Sequence, residues 1–205
     1  SIAKKGILNI HYPVARGIVE NWEHMEKVWA HTFSNELRID PSERNVLITE
    51  APLNPKQNRE KYCQIMFETF KVKGLHVAIQ AVMSLYSYGR TTGLVVDSGD
   101  GVTHTVPVYE GFTIPHAIEK MEIAGRELTD YLSKLLLSSD LNLSGGAGFQ
   151  IVRDIKEKLC FVAQDYDKEY AEAEESSQQD KIYTLPDNSS VTIKGSVRMQ
   201  CPELL

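Results

Sequence analysis

The chain alternates between short apolar runs rich in β-branched residues and longer stretches in which apolar residues recur at helical spacing. The short runs predict strands at residues 46–49, 75–79 and 94–96, and the last of these is a continuous apolar run typical of a buried strand. Helical spacing predicts helices that begin near residues 22, 55, 81, 126 and 149. Strands that alternate with helices indicate an α/β protein.

Capping residues locate two of the predicted helix starts more closely. Asn21 directly precedes the first helical stretch, so we expect it to be the N-cap of a core helix whose apolar face runs to Phe33. Asn54 followed by Pro55 matches a capping residue and a first helical position, which predicts that a second helix begins there. Gly89 is expected to end the helix that starts near residue 81.

The second half of the chain contains one long loop, one strongly amphipathic helix and one hairpin. Residues 138–148 are rich in Ser, Asn and Gly and predict a loop. The helix from residue 149 has an apolar stripe that ends at Leu159 and Val162. The acidic segment 165–175 is expected to be a solvated helix or loop, and residues 181–185 and 191–194 predict two paired strands.

Local sequence pattern suggests a ligand-binding role for the turn at residues 98–101. Small residues between two apolar runs predict a tight hairpin. Gly99 and Gly101 are expected to leave backbone N–H groups bare for phosphate oxygens, and Asp97 at the strand end suits a hydrated Mg²⁺. Local pattern alone leaves this interpretation and an ordinary Asp-Gly hairpin equally open.

Composition excludes several classes of function. The 205 residues carry a net charge of −6 without a basic stripe, which argues against direct nucleic-acid binding. Cys63, Cys160 and Cys201 are widely spaced, which argues against a disulfide framework and a zinc site and fits a reducing cytosol. The apolar stretches are far shorter than the roughly 20 residues that cross a bilayer, so we expect a soluble intracellular protein without a membrane span.

Long stretches of the sequence closely resemble the actin family, in the family's order and over nearly the whole chain. The matching stretches are WEHMEK (22–27), LITEAPLNP (47–55), QIMFETF (64–70), VAIQA (77–81), TTGLVVDSGDGVTHTVP (91–107), AGRELTDYL (124–132) and IVRDIKEKLC (151–160). The resemblance implies an α/β, actin-like two-lobed ATPase fold with duplicated ribonuclease-H-like domains, incomplete here. Because the match starts at Ser1 and stops at Leu205, we expect a fragment that is inactive on its own.

The resemblance also implies a division into subdomains. Residues 1–12 would be the stub of the DNase-binding subdomain, and residues 13–87 part of the first large subdomain. Residues 88–123 would be part of the second large subdomain, which contains the phosphate-binding hairpin. Residues 124–205 would be the truncated small subdomain over the nucleotide.

The resemblance further implies the residues that bind ATP or ADP with Mg²⁺ or Ca²⁺. The second phosphate loop would be Gly99, Asp100, Gly101 and Val102. Asp97 would hold the metal through water, and Gln80 and His104 would orient and deprotonate the attacking water. Around ribose and adenine it implies Gly125, Arg153, Lys156 and Glu157.

Without the resemblance these side chains have plainer interpretations. Arg153, Lys156 and Glu157 lie three and four residues apart, which by itself predicts a solvated, salt-bridged helix face. His104 within a strand is more often a packed residue, and Gln80 at a strand end is more often solvated.

The function implied by the resemblance is that of a cytoskeletal actin, an ATP-hydrolysing subunit that polymerises in the cytoplasm for motility, transport and cell shape. Its partners would be other copies of itself, actin-binding proteins and myosin motors. The alternatives are an actin-related subunit of a larger complex and, behind it, a kinase or chaperone of the same superfamily. Two departures from the family pattern are Arg16, where most actins have a histidine, and the loop at 138–150.

Overall fold

The computed structural model describes residues 11–138, 141, 143 and 145–205. The described residues divide into two compact units, His11–Glu122 and Ile123–Leu205, here called the first and second units. Each unit contains both helices and sheets, so the predicted α/β class is confirmed. Most of the predicted stub of the DNase-binding subdomain, residues 1–12, lies outside the described residues, and the subdomain assignments stay predictions.

The first unit contains eight strands and three α-helices among its described residues. The strands are β1 (Val14–Ala15), β2 (Ile18–Val19), β3 (Asn45–Glu50), β4 (Gly74–Ile79), β5 (Gly93–Ser98), β6 (Thr103–Tyr109), β7 (Phe112–Thr113) and β8 (Glu119–Met121). The helices are α1 (Trp22–His31), α2 (Lys56–Gln64) and α3 (Gln80–Ser87). Two π-helical segments, Thr32–Leu37 and Ile65–Thr69, extend α1 and α2.

These strands form a parallel pair and a larger antiparallel sheet. β3 and β4 run parallel, with Asn45 opposite Gly74 and Glu50 opposite Ile79. β6 lies in the centre of the antiparallel sheet, with β5 along one edge and β7 and β8 along the other. β1 and β2 form a short hairpin of their own.

The start of α1 follows the predicted capping, and the start of α2 does not. The side chain of Asn21 accepts a hydrogen bond from the backbone N–H of His24, as expected for an N-cap. Asn54 instead donates to the buried carboxylate of Glu50 (2.8 Å). Because Glu50 holds the Asn54 side chain, Pro55 occupies the cap position and α2 begins one residue later.

Two cores stabilise the first unit. One joins Phe33, Met66 and Val72, and the other packs α3 against β6. The prediction of α1 as a core helix holds in part: none of its residues is fully buried, but Trp29 packs against the core that the following π-helical segment enters with Phe33.

The prediction that β5 is a buried strand was also wrong. Leu94 and Val96 are 66% and 65% exposed, while Val95 packs against the α3 core. Alternate side chains of a strand point to opposite faces of the sheet. Because α3 covers only the face that carries Val95, Leu94 and Val96 stay exposed.

The second unit contains four α-helices and two strands among its described residues. They are α4 (Gly125–Ser138), α5 (Gly145–Leu159), α6 (Tyr166–Glu175), β9 (Lys181–Thr184), β10 (Ser190–Ile193) and α7 (Gly195–Gln200). The predicted hairpin is confirmed, with Ser190 opposite Thr184. Leu132, Leu136, Val152 and Ile155 from α4 and α5 form the centre of the core, together with Ile193.

The limits of α5 differ from the prediction at both ends. The helix starts at Gly145, four residues early, and a Cβ at buried Gly148 would collide with the carbonyl oxygen of Leu143. That packing explains Gly148, one of the glycines that otherwise predict a loop. The helix ends at Leu159, and Val162 is 72% exposed, because the Phe161 N–H donates to the carbonyl of Arg198 and draws the chain onto α7.

No helix among the described residues is both long enough and apolar enough to cross a membrane.

Candidate functional site

The turn between β5 and β6 is the centre of the candidate site in the first unit. Asp97 pairs with His104 and Ser98 pairs with Thr103 at the end of the ladder next to the turn. The hydroxyl groups of Ser98 and Thr103 hydrogen-bond across the strands (2.8 Å). The four residues between them, Gly99, Asp100, Gly101 and Val102, form the turn, one residue later than the predicted 98–101 because Ser98 still pairs with Thr103.

The backbone amides of this turn are not equivalent. The Gly99 N–H donates to the carbonyl of Val102 (3.1 Å), so the expectation that it is bare was wrong. The N–H groups of Gly101 and Val102 donate to no other residue in the described part of the chain. Unengaged N–H groups in a turn are the donors that phosphate oxygens need.

The β1–β2 hairpin lies directly against this turn. A Cβ at Gly101 would come within 3.1 Å of Arg16 Cα and 3.2 Å of its backbone nitrogen, so only glycine fits there without a shift. Arg16 has φ 49° and precedes Gly17 at φ 78°, the left-handed pair of a tight two-residue turn. Its guanidinium forms an ion pair with Glu122 (2.9 Å). A cationic side chain therefore begins beside the predicted phosphate turn.

Asp97, His104 and Lys120 form a row across three strands. His104 is opposite Asp97 on β5 and opposite Lys120 on β8, and residues directly opposite each other share a face of the sheet. His104 is 4% exposed. Burial, and after it the Lys120 cation, lower the pKa of His104, whereas Asp97 acts in the opposite direction. The imidazole is therefore held neutral near pH 7, with a ring nitrogen able to accept a proton.

Gln80 begins the helix that packs on this sheet. It is the first residue of α3, directly after β4, and its side chain is exposed. Ala81, Val82 and Leu85 of α3 pack against Val106 and Val108 of β6. This packing fixes α3 on the sheet that carries Asp97 and His104. Gln80, at the start of α3, is exposed to solvent.

The predicted nucleoside residues of the second unit lie on α4 and α5. The Lys156 ammonium donates to the carbonyl of Gly125, the first residue of α4, over 2.5 Å. Arg153 donates to Glu157 over 2.8 Å. All four predicted residues are therefore engaged within this unit, two across the helix pair and two along α5.

A cavity of about 320 Å³ borders the same face of α5. Arg153, Asp154, Glu157 and Tyr183 are among its lining residues. The Tyr183 hydroxyl donates to Asp154 (2.5 Å), and burial together with this hydrogen bond raises the pKa of Tyr183 to about 12. The cavity thus combines charged groups with a neutral phenol.

Sequence reasoning missed several residues that border the site. Lys120 approaches His104 through strand register, and Tyr183 reaches Asp154 from β9. Neither contact has a local signal, because the partners lie 16 and 29 residues apart along the chain. The position of Lys120 follows from the register of β8 against β6.

Helices and sheets around separate cores make this an α/β protein of two units. The family model described as Actin matches residues 1–205, the whole chain. The chain therefore belongs to the actin family, which confirms the resemblance and the actin-like fold class. Proteins of this family generally bind a nucleotide and a divalent cation. The individual site residues stay predictions.

Proposed function

We propose that the complete protein is a cytoskeletal actin, a subunit that binds ATP, polymerises and hydrolyses the nucleotide slowly as a monomer and faster in the filament. The observation that supports this proposal is the β5–β6 turn, whose Gly101 and Val102 amides are unengaged within the described chain. The family match over residues 1–205 supports the nucleotide as the ligand.

The residues of the hairpin fit a metal–phosphate group. Gly101 and Val102 supply N–H donors for phosphate oxygens, and Asp97 supplies a carboxylate of the kind that accepts hydrogen bonds from metal-bound water. Bound Mg²⁺ would neutralise charge on the phosphates. Gly101 itself packs closely on the backbone of Arg16.

Two side chains of the first unit are assigned to hydrolysis. Gln80, exposed at the start of α3, would orient the attacking water through its amide group. His104, held neutral by burial and by Lys120, would accept the proton directly or through a second water. Positioning of this kind is the main contribution that a protein makes to phosphoryl transfer.

The nucleoside end is assigned to α4 and α5. The Lys156 ammonium already donates a hydrogen bond to the Gly125 carbonyl, and this contact orders the start of α4 before any ligand binds. Arg153 and Glu157 border the 320 Å³ cavity and provide a donor and an acceptor for ribose or base edges. Both groups must loosen their mutual ion pair to contact a ligand.

The filament role is the finer part of the proposal. Self-association, actin-binding proteins, myosin motors and a cytoplasmic location follow from it. The competing candidate is an actin-related subunit of a larger complex, and the departures at Arg16 and in residues 138–150 favour it. Sedimentation of the complete protein with Mg-ATP separates the two, because only the cytoskeletal actin is expected to form filaments alone.

The nucleotide assignment is tested by removing one charge at the metal position of the complete protein. Asp97→Asn should weaken Mg-ATP binding about tenfold to a hundredfold, because a charge-assisted hydrogen bond contributes about 1.5–3 kcal/mol. Titration calorimetry measures the affinity. Glu119→Gln removes the same charge from an exposed position on β8 and should leave it unchanged. Equal affinities of the Asp97→Asn protein and the wild type would refute the assignment.

A further inference from the structure

Two cysteines meet where α7 crosses the end of α5 in the second unit. Cys160 directly follows α5 and Cys201 directly follows α7. Two hydrogen bonds fix this crossing: the Arg198 guanidinium donates to the carbonyl of Leu159 (2.7 Å), and the Phe161 N–H donates to the carbonyl of Arg198 (3.4 Å). The backbone on either side of Cys160 is therefore held against α7.

Both thiols are free, and both residues pack in the same core of the second unit. Cys201 is fully buried in the core of the second unit, and its thiol donates to the carbonyl of Leu128 (3.4 Å). Cys160 packs against the same core but is only partly buried. Each thiol shifts the pKa of the other, as expected for neighbours in this core. Cys160 is thus the more accessible residue of the pair, and Cys201 is the buried one.

Two cations flank the thiol pair. Lys156 lies one helical turn before Cys160, and Arg198 lies three residues before Cys201. The hydrogen bond from Cys160, followed by the charge of Lys156, lowers the pKa of Cys201, while the same contact raises the pKa of Cys160. Nearby cations stabilise a thiolate, so Cys201 is the thiol of the pair that is better suited to attack a second sulfur.

We propose that Cys160 and Cys201 form a reversible redox site that small hydroperoxides convert into a disulfide. The proposal is independent of nucleotide binding. It stands on the packing of both cysteines in one core, on their unequal burial, and on the hydrogen bonds that hold the backbone around Cys160 against α7. A thiol that is oxidised to sulfenic acid forms a disulfide when a second thiol is placed to resolve it.

The chemistry balances in two steps with hydrogen peroxide. The Cys160 sulfur attacks one peroxide oxygen, an S–O bond forms, the O–O bond breaks, and the leaving hydroxide takes up the Cys160 proton as water. The Cys201 sulfur then attacks the Cys160 sulfur, an S–S bond forms, the S–O bond breaks, and the second hydroxide leaves with the Cys201 proton as water. Two sulfurs lose two electrons in total, and the two peroxide oxygens gain them.

The consequence for the fold is a covalent link between the ends of α5 and α7. Since the backbones already lie together, the link requires little rearrangement of the chain. A thiol reductant should reverse it by exchange.

The experiment exposes the complete protein to increasing hydrogen peroxide, alkylates the remaining free thiols, and maps disulfides by mass spectrometry of proteolytic peptides. A peptide pair that joins Cys160 to Cys201 should appear at the lowest peroxide concentrations and should disappear after dithiothreitol. Cys63→Ser removes the third cysteine of this chain and should leave the joined peptide unchanged.

Variants of the pair separate bridging from simple oxidation. Cys201→Ala keeps a small apolar side chain in the core, and in this protein Cys160 should accumulate as sulfenic acid that a dimedone-type reagent captures. Cys160→Ser should abolish both the bridge and the early peroxide reaction. The proposal is overturned if Cys160 stays reduced under conditions that oxidise Cys63, or if wild-type Cys160 is oxidised to its acids without a bridge to Cys201.

Discussion

The β5–β6 turn of the first unit and the α5 face of the second unit offer a ligand different kinds of groups. The turn presents backbone N–H groups of Gly101 and Val102 that donate to no residue in the described ranges. The α5 face presents Arg153 and Lys156, whose donors are already engaged by Glu157 and Gly125. A ligand at the turn would therefore meet donors that are not engaged, whereas a ligand at the α5 face would have to displace Glu157 or Gly125.

This difference predicts different responses to substitution. Substitutions in the first unit should act by crowding the backbone of the turn or by changing how the attacking water is positioned. Changes on α5 should act through single side-chain contacts, whose net contribution to stability is small.

The largest expected effect concerns hydrolysis and therefore only the first unit. In the complete protein, Gln80→Ala should slow phosphate release after assembly by about tenfold to a hundredfold, roughly 1.4–2.7 kcal/mol of barrier, with nucleotide binding largely kept. Light scattering follows filament growth while a phosphate assay runs in parallel. Ser84→Ala, an exposed change one turn further along α3, serves as the control. Normal phosphate kinetics in the Gln80→Ala protein would remove Gln80 from the mechanism.

The next effect separates the two glycines of the turn. Gly101→Ala should lower the free energy of unfolding by about 1–3 kcal/mol, because its Cβ would crowd the backbone of Arg16. Gly99→Ala should change it by less than about 0.5 kcal/mol, since the nearest atom, the Val102 carbonyl oxygen, is 3.9 Å from the added Cβ. Chemical unfolding at one fixed nucleotide concentration compares them. Equal losses would show that crowding does not shape this turn.

A smaller effect is expected on α5. Lys156→Met removes the hydrogen bond to the Gly125 carbonyl and should reduce the free energy of unfolding by about 1 kcal/mol. Lys158→Met on the same helix breaks an exposed ion pair with Asp154 and a contact of the ammonium with the Tyr183 ring, and should cost about 0.5 kcal/mol. The same unfolding experiment measures both. A larger loss for Lys158→Met would contradict the structural role of Lys156.

The smallest effect is a pH dependence from His104. Because its pKa in the folded chain is below the ordinary 6.5, the unfolded chain binds the proton first as pH falls. Stability from this group is thus complete above about pH 6.5 and is lost as the solution becomes more acidic. The melting temperature of the wild type should drop more between about pH 7 and about pH 5 than that of His104→Asn. Parallel curves for these two proteins, with exposed His76→Asn as the reference, would exclude the effect.

Local signals were sufficient for much of the fold. The cap at Asn21 and the turn at residues 98–101 depend on neighbours within a few residues, so the sequence predicted both. The errors came from contacts that are distant along the chain. Leu94 is exposed because α3 covers only the other face of β5, and α5 ends before Val162 because Arg198 binds the following backbone.

The candidate site follows the same rule. Asp97 and the glycines of the turn have a chemical meaning that their order alone suggests. The engagement of the Gly99 amide by Val102, the approach of Arg16 and the place of Lys120 beside His104 require the register of the strands. Gln80 and His104 have no distinguishing local pattern, and only the family resemblance marked them.

The central claim is that phosphate binds at the amides of the β5–β6 turn and the nucleoside binds at α4 and α5. Amide nitrogen–proton correlation spectra of the complete protein, recorded first with adenosine and then with Mg-ATP, test it most directly. We expect the Gly101 and Val102 amides to shift only when phosphate is present, with Gly99 shifting less, and Gly125 to shift already with adenosine. The claim is contradicted if the Gly101 and Val102 amide signals do not shift with Mg-ATP, or if they shift equally with adenosine.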